Sequence, residues 1–194
     1  MNGVINAALQ HYVCTAHGLS LWERAARRSG VPHLRFEAML QYQDALTERT
    51  LTALANELQI TQEDLLEDVG VFLVTHAKTQ WLHRLLRFSG ENYIDFLRTL
   101  PDMPNRIAIA AFDIGVPQIA LTQDRPLHFR LDLKAPKHSG LWCHVFAGLL
   151  RAMADSHNTL CAVNVENKTT LRVHVFDALQ QTGEYVETRW GQRW

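Results

Sequence analysis

Apolar residues recur at helical spacing through the first part of the chain. Between residues 4 and 15 they fall three or four positions apart, which predicts a helix with one buried face. Ser20 and Glu23 have the spacing of a capping box, so they predict the start of a second helix that runs through Arg28. The chain therefore opens with two predicted helices.

The helical pattern continues toward the middle of the chain. Leucines at residues 51–58 predict another helix, and Thr61 with Asp64 predicts the cap of the next one. Helical spacing of apolar residues continues at 81–86, and a short helix is predicted within residues 89–101. The first half of the chain is thus predicted to be helical.

The stretch from Leu97 to Pro117 combines prolines with an apolar run. Pro101 and Pro104 are predicted to end one helix and to start the next, because a proline is tolerated in the first turn but not in the interior. The apolar residues 107–112 are predicted to bury this next helix against the core.

The second half of the chain changes to the alternating pattern of strands. Residues 118–122 and 127–133 predict one antiparallel pair, and residues 162–165 and 171–176 predict another across a turn-prone segment. A helix is predicted between the two pairs, over residues 138–155. The fold class is therefore α+β, a helical N-terminal part followed by an α/β part with an antiparallel sheet.

The length and composition suit a single domain. The chain has 194 residues, of which 47% are hydrophobic, enough for a sizeable core. We expect one domain with a helical part at about 1–65, a part with the sheet at about 66–176 and a C-terminal tail at 177–194. Two tryptophans, Trp190 and Trp194, end the tail, which we expect to pack back on the domain or to lie disordered.

Charge and targeting signals narrow the class of protein. The formal net charge is −1, so the chain as a whole has no basic field for nucleic acid or an anionic membrane. The N-terminus lacks the pattern of a signal peptide, and no apolar span reaches the length of a membrane helix. Three isolated cysteines indicate reduced thiols. These features predict a cytoplasmic protein.

The motifs of common enzymes are absent from the sequence. It has no phosphate-binding Gly-x-x-x-x-Gly-Lys, no Gly-x-Gly-x-x-Gly and no Gly-x-Ser-x-Gly. The ten histidines never have the His-x-x-x-His spacing of a metal site, so most are expected to be surface or core residues. Cys143 and His144 are adjacent, but neighbours on a helix point about 100 degrees apart. We therefore expect that the protein is not an enzyme.

The order of several short motifs is similar to that of heme nitric oxide/oxygen-binding (H-NOX) domains. The family begins Met-x-Gly-x-Ile, soon reaches a Gly-x-x-x-Trp element, and continues with a Tyr-x-Asp segment and a Leu-Leu-x-x-x-Gly-x-Phe-Leu helix. The matching residues are Gly3, Ile5, Gly18, Trp22, Tyr42, Asp44, Leu58, Ile60, Leu65, Leu66, Gly70, Phe72 and Leu73. Later elements keep the family's order to about residue 176, so the resemblance implies an H-NOX-like fold.

The resemblance also implies a heme-based sensor, in which a histidine of the mid-chain helix ligates the iron. In this sequence that position falls on Asn105, or within one residue of it, and no histidine lies between His83 and His128. An amide is a poor iron ligand because its lone pairs are delocalised. The usual protein ligand is therefore missing, and His138 and His144 are the candidate substitutes.

A second family motif, the Tyr-x-Ser-x-Arg that holds the heme propionates, is also missing. Two placements of the motif fall on Pro136, His138 and Gly140, or on Leu133, Ala135 and Lys137. Both placements lose the tyrosine and serine hydroxyls. The second keeps a cation at Lys137, which pairs with a carboxylate but does not reproduce the two-pronged arginine contact.

Three further positions belong to the pocket by resemblance. Pro117 corresponds to the proline beside the porphyrin, and Ile5 corresponds to a pocket residue. Val145 falls where oxygen-binding members carry a hydrogen-bonding tyrosine. A bound heme would therefore have an apolar distal side, which favours nitric oxide over oxygen.

Two functions are compatible with these residues. The first is a degenerate H-NOX-like regulatory domain that has lost heme and uses the fold to act on other proteins. The second is a heme-binding nitric oxide sensor whose iron is ligated by a substitute residue or by no protein residue. Bacterial relatives of this stand-alone kind signal through a separate histidine kinase or cyclic dinucleotide enzyme, so the resemblance implies a signalling partner in trans.

Overall fold

The computed structural model of this chain describes residues 3–30, 35–37, 40–76, 90–111, 116–134 and 139–176. In chain order its elements are α1 (Gly3–Ala16), α2 (Leu19–Ser29), α3 (Asp44–Leu58), α4 (Gln62–Thr75), α5 (Tyr93–Thr99), a 3-10 turn (Leu100–Asp102), α6 (Met103–Ala111), β1 (Gln118–Arg125), β2 (His128–Lys134), α7 (Ser139–Ser156), β3 (Cys161–Val165) and β4 (Thr170–Val175). This order confirms the α+β class and the helical N-terminal part. The helical segment predicted at 81–86 lies outside the described residues.

The start of α2 differs from the prediction. The helix begins at Leu19 after Gly18, whose φ of 89° lies in the left-handed region, and no side chain caps it. Ser20 is already inside the helix. A capping residue needs non-helical backbone angles, so the predicted capping box of Ser20 and Glu23 is wrong.

The start of α3 lies well before the leucines that predicted it, at Asp44. Thr47 and Thr50 are buried in this first part of the helix, and Thr50 Oγ1 donates to a backbone carbonyl one turn earlier at 2.8 Å. A threonine that bonds to its own helix, as Thr50 does, can be buried, so apolar spacing alone misses it. The start of α4 is as predicted, since Thr61 Oγ1 accepts from the Asp64 backbone N–H at 3.0 Å.

The four described strands form one antiparallel sheet in the order β1-β2-β4-β3. Its inner face is apolar, with Leu131 opposite Leu171 and Val163 opposite Val173, all four of them buried. α7 packs on the sheet. The residues between these inward-facing ones point away from the core, as the two-residue period of the sequence predicted.

The buried residues of the described segments form two clusters. The first gathers α1 to α4 around Trp22 and Leu54 and includes Val145 of α7. The second gathers α5, α6, α7 and the sheet around Phe96 and Leu150. Among the described elements, α4 and α7 make the most extensive contact. These two helices therefore join the clusters.

The backbones of α4 and α7 touch where the helices cross. A Cβ atom at Gly70 would lie 2.1 Å from the Val145 carbonyl oxygen, and one at Gly148 would lie 1.9 Å from the Glu67 carbonyl oxygen. Both distances are far below van der Waals contact. Only glycine, which has no side chain, permits this approach.

Candidate ligand-binding site

The segment from α5 to α6 positions Asn105. α5 ends at Thr99, Pro101 lies in the 3-10 turn, and Pro104 is the second residue of α6. A backbone N–H in the first turn of a helix has no partner within the helix. A proline, which lacks the N–H, therefore loses no hydrogen bond at that position. The prolines act as predicted, and they place Asn105 in the first turn of α6.

One side of α6 is exposed. Met103 and Ile107 are buried, whereas Asn105 is exposed and Ile109, one turn further, is 88% exposed. The expectation that the whole apolar run would be buried is therefore wrong at Ile109. The helix packs on the 3-10 turn and β1, which cover its other side. Residues four apart share a helix face, so an amide and a large apolar side chain lie next to each other on the exposed side.

The other pocket positions are more buried than Asn105. Pro117 is buried directly before β1, and Ile5 is half-buried on α1. Val145 is buried at the α4–α7 crossing, with its side chain in the first core cluster. Among the described residues, no side-chain contact joins Ile5, Pro117 or Val145 to Asn105. Their assignment to one pocket stays a prediction.

His144 points toward α4. Its Nδ1 atom lies 3.5 Å from Glu67 Oε1. The histidine lines a groove of about 700 Å³ together with Leu66 and Lys168. α7 packs on α4 and the sheet, whereas α6 packs on the 3-10 turn and β1. His144 and Asn105 therefore lie on elements that pack against different parts of the molecule. Lys137 and His138 lie outside the described residues.

Glu67 links the crossing of α4 and α7 to the sheet, which the sequence did not reveal. Its carboxylate pairs with the Arg151 guanidinium, and Arg151 also donates to the Val163 carbonyl of β3 at 2.8 Å. These residues are far apart in sequence and belong to no local motif. The one local signal is the glycine at position 148 between His144 and Arg151, which lets α7 approach Glu67.

Aromatic and histidine side chains gather where α1 meets α4. The Phe72 ring stacks on His76 at 4.4 Å, and His11 meets both rings edge-on at 5.3 and 5.2 Å. Nearby, the Tyr12 hydroxyl donates to Asp68 Oδ2 at 3.0 Å. Burial and the Asp68 carboxylate raise the pKa of Tyr12 above its ordinary value. These contacts are those of side chains packed at the junction of α1 and α4.

Cys143 is fully buried, and burial raises the pKa of its thiol to about 11. Only the thiolate reacts with a disulfide reagent. We predict that Cys143 does not react with 5,5′-dithiobis(2-nitrobenzoate) at pH 8 while the protein is folded, and that it reacts after unfolding in guanidinium. Cys143→Ser is the control, and it should leave the number of thiols titrated in the folded protein unchanged. Rapid loss of a Cys143 thiol in the native protein would contradict the buried position.

The described part of the chain contains neither a metal-binding cluster nor a membrane-spanning helix. No three histidine, cysteine or carboxylate side chains in it are placed to hold a metal ion. None of its helices is both long enough and apolar enough to cross a bilayer.

The fold is an α+β domain in which two closely packed helices join a helical cluster to an antiparallel sheet. The chain belongs to the haem-NO-binding family, whose model matches residues 2–165. This is a family of heme-based sensors, also called H-NOX domains. A search of curated proteins gave no sequence match.

Solved H-NOX structures share this fold. The chain is similar to an H-NOX protein from S. oneidensis in the Fe(II)NO ligation state, with a TM-score of 0.73 and 14% identity over 91% of this chain and 100% of that one. It is also similar to the Fe(II) unliganded H-NOX protein from K. algicida, with a TM-score of 0.74 and 14% identity over 92% of this chain and 98% of that one. At this identity the likeness is one of fold.

The residues on α6 do not fit a histidine-ligated heme. Asn105 offers an amide, and α6 contains no imidazole, thiolate or carboxylate to bind the iron. The described histidine proposed as a substitute, His144, faces the Glu67 carboxylate on α4. Within the described residues, the side chains of α6 therefore do not supply the imidazole of the usual heme attachment.

Proposed function

We propose that this chain is an H-NOX domain that works as a regulatory module without a histidine-ligated heme. The observation that carries the proposal is Asn105, an exposed amide in the first turn of α6 at the position assigned to the iron ligand by resemblance. An isolated amide contributes little to iron binding. The family fold then serves to present surfaces to other proteins.

The proposed partner is a separate signalling protein, either a histidine kinase or a cyclic dinucleotide enzyme. Family resemblance supports this class of partner, and the sequence offers no catalytic motif with which the domain would generate the signal itself. We place the protein in the cytoplasm. We also keep the division into a helical part at about 1–65 and a part with the sheet at about 66–176 as a proposal.

A second candidate function is a nitric oxide sensor that holds heme without the usual ligand. The exposed apolar side chain of Ile109, on the same face as Asn105, favours it because an apolar surface suits a porphyrin. In that case Ile5, Pro117 and Val145 would line the pocket, and the apolar Val145 would favour nitric oxide over oxygen. Lys137 would pair with a propionate.

Absorption spectroscopy distinguishes the two functions. The protein is purified from heme-supplemented cells and then titrated with hemin. We expect little heme after purification and weak binding of added hemin that does not saturate near one equivalent. A strong Soret band at near-equimolar heme that shifts with nitric oxide would overturn the heme-free proposal. In that event His138→Ala and His144→Ala identify a substitute ligand, because only loss of the ligand moves the band.

A further inference from the structure

Four side chains form a patch at one end of the sheet, on the face turned away from α7. They are Leu160, His128, His174 and Phe176. The Phe176 backbone N–H donates to the Leu160 carbonyl at 2.9 Å, which places these two residues side by side. The Phe176 ring lies 4.2 Å from His174, which stacks on His128 of the neighbouring strand at 3.8 Å. We call this group the sheet-end patch.

The sheet-end patch leaves large apolar side chains open to solvent. Leu160 is 66% exposed and Phe176 is 53% exposed. Neither side chain belongs to the core clusters formed by the described residues. Two adjacent apolar side chains exposed to this degree favour contact with another apolar group, because burial of each contributes about 25 cal/mol per Å² removed from water.

The same sheet face also carries two sets of paired charges. The guanidinium of Arg172 lies 3.3 Å from Asp124 and also pairs with Glu166. Arg130 lies 3.1 Å from Asp132. These charges neutralise each other across the strands. The sheet-end patch is its apolar part, so an occupant should be apolar or aromatic.

The chain supplies such an occupant immediately after the patch. Residues 177–194 follow Phe176 and contain the aromatic residues Tyr185, Trp190 and Trp194. Eighteen residues reach up to about 60 Å when extended, whereas a seven-residue strand such as β2 spans only about 23 Å. The segment is therefore long enough to turn and bring its tryptophans back to the sheet-end patch.

We propose that residues 177–194 dock on the sheet-end patch through Trp190 or Trp194. Covalent attachment next to the patch gives the segment an effective concentration in the millimolar range, an advantage that a second copy of the chain does not have. A tryptophan also offers a large flat ring to the stacked histidines and to Phe176. Docking removes the exposed apolar side chains of the sheet-end patch from solvent.

Fluorine NMR of the full chain labelled with 5-fluorotryptophan tests the proposal. The variants Trp190→Phe and Trp194→Phe assign the resonances of Trp190 and Trp194 among those of the five tryptophans. A soluble gadolinium chelate reports the access of these two side chains to solvent. We expect at least one of the two to be protected. In the double variant Leu160→Ser with Phe176→Ser, its broadening by the chelate should rise at least about twofold, because the docked population is lost.

The matched control is Leu19→Ser, which removes a 59% exposed leucine from α2 and should leave both resonances unchanged. The reciprocal measurement is amide exchange at Leu160 and Phe176, which should speed up in Trp190→Ala with Trp194→Ala even if the sheet variants fold poorly. The proposal is overturned if both tryptophans are equally accessible before and after the sheet substitutions. It is also overturned if their protection disappears on dilution, which would identify a second copy as the occupant.

Discussion

Asn105→His should bind hemin about 100-fold more tightly than the unmodified chain, a gain of about 2.7 kcal/mol. The reason is chemical, because a neutral imidazole nitrogen ligates iron and an amide does not. The substitution should be tolerated, since Asn105 is exposed in the first turn of α6. The measurement is a hemin titration followed at the Soret band, with nitric oxide added at saturation to confirm that the iron is accessible.

The matched control is Asp102→His, which adds an exposed histidine in the 3-10 turn before α6. It should bind hemin no better than the unmodified chain, because a histidine outside the ligand position gives only weak, nonspecific binding. If Asn105→His also fails to saturate, then Asn105 is not the position of the family's iron ligand.

Gly148→Ala should lower the free energy of unfolding by about 2–3 kcal/mol, near the upper end for an overpacked core. The added Cβ would lie 1.9 Å from the Glu67 carbonyl oxygen, so α4 and α7 would have to move apart. Such movement weakens the contact that joins the two core clusters. Thermal unfolding followed by circular dichroism should show a midpoint about 5–10 °C lower.

Gly140→Ala on the same helix is the control for this substitution. A Cβ at Gly140 would meet only the Lys168 side chain at 3.5 Å, an ordinary contact. Alanine favours the helix by up to about 1 kcal/mol over glycine, so the control should be neutral or stabilising. Equal midpoints for the two variants would show that the helices do not cross as closely as described.

The sequence was most informative where a residue acts on its own backbone. Thr61 caps α4 as predicted, because Thr61 Oγ1 and the Asp64 N–H that donates to it lie within one turn. Pro101 and Pro104 separate α5 from α6 because proline lacks an N–H wherever it occurs. Ser20 and Glu23 have the spacing of a capping box, but the prediction from it was wrong. The helix begins at Leu19, directly after Gly18, so Ser20 already lies inside it.

The candidate site was less predictable than the fold. The family resemblance made Asn105 a candidate site residue, but its exposure depends on which side of α6 the 3-10 turn and β1 cover. His144 was a candidate substitute ligand, and its place beside Glu67 follows from the packing of α7 on α4. His144 and Glu67 are 77 positions apart and meet because α4 and α7 cross. The spacing of residues within one segment does not predict such a contact.

By itself, the sequence determined the class of fold, most of the element order and the absence of any histidine between His83 and His128. These properties follow from periodicity, proline chemistry and the identity of single residues, all of which are local. The tertiary structure decided that Glu67 pairs with Arg151 and that Ile109 and the sheet-end patch are left exposed. Those features depend on the approach of distant elements, in particular on the contact of α4 with α7 that Gly70 and Gly148 permit.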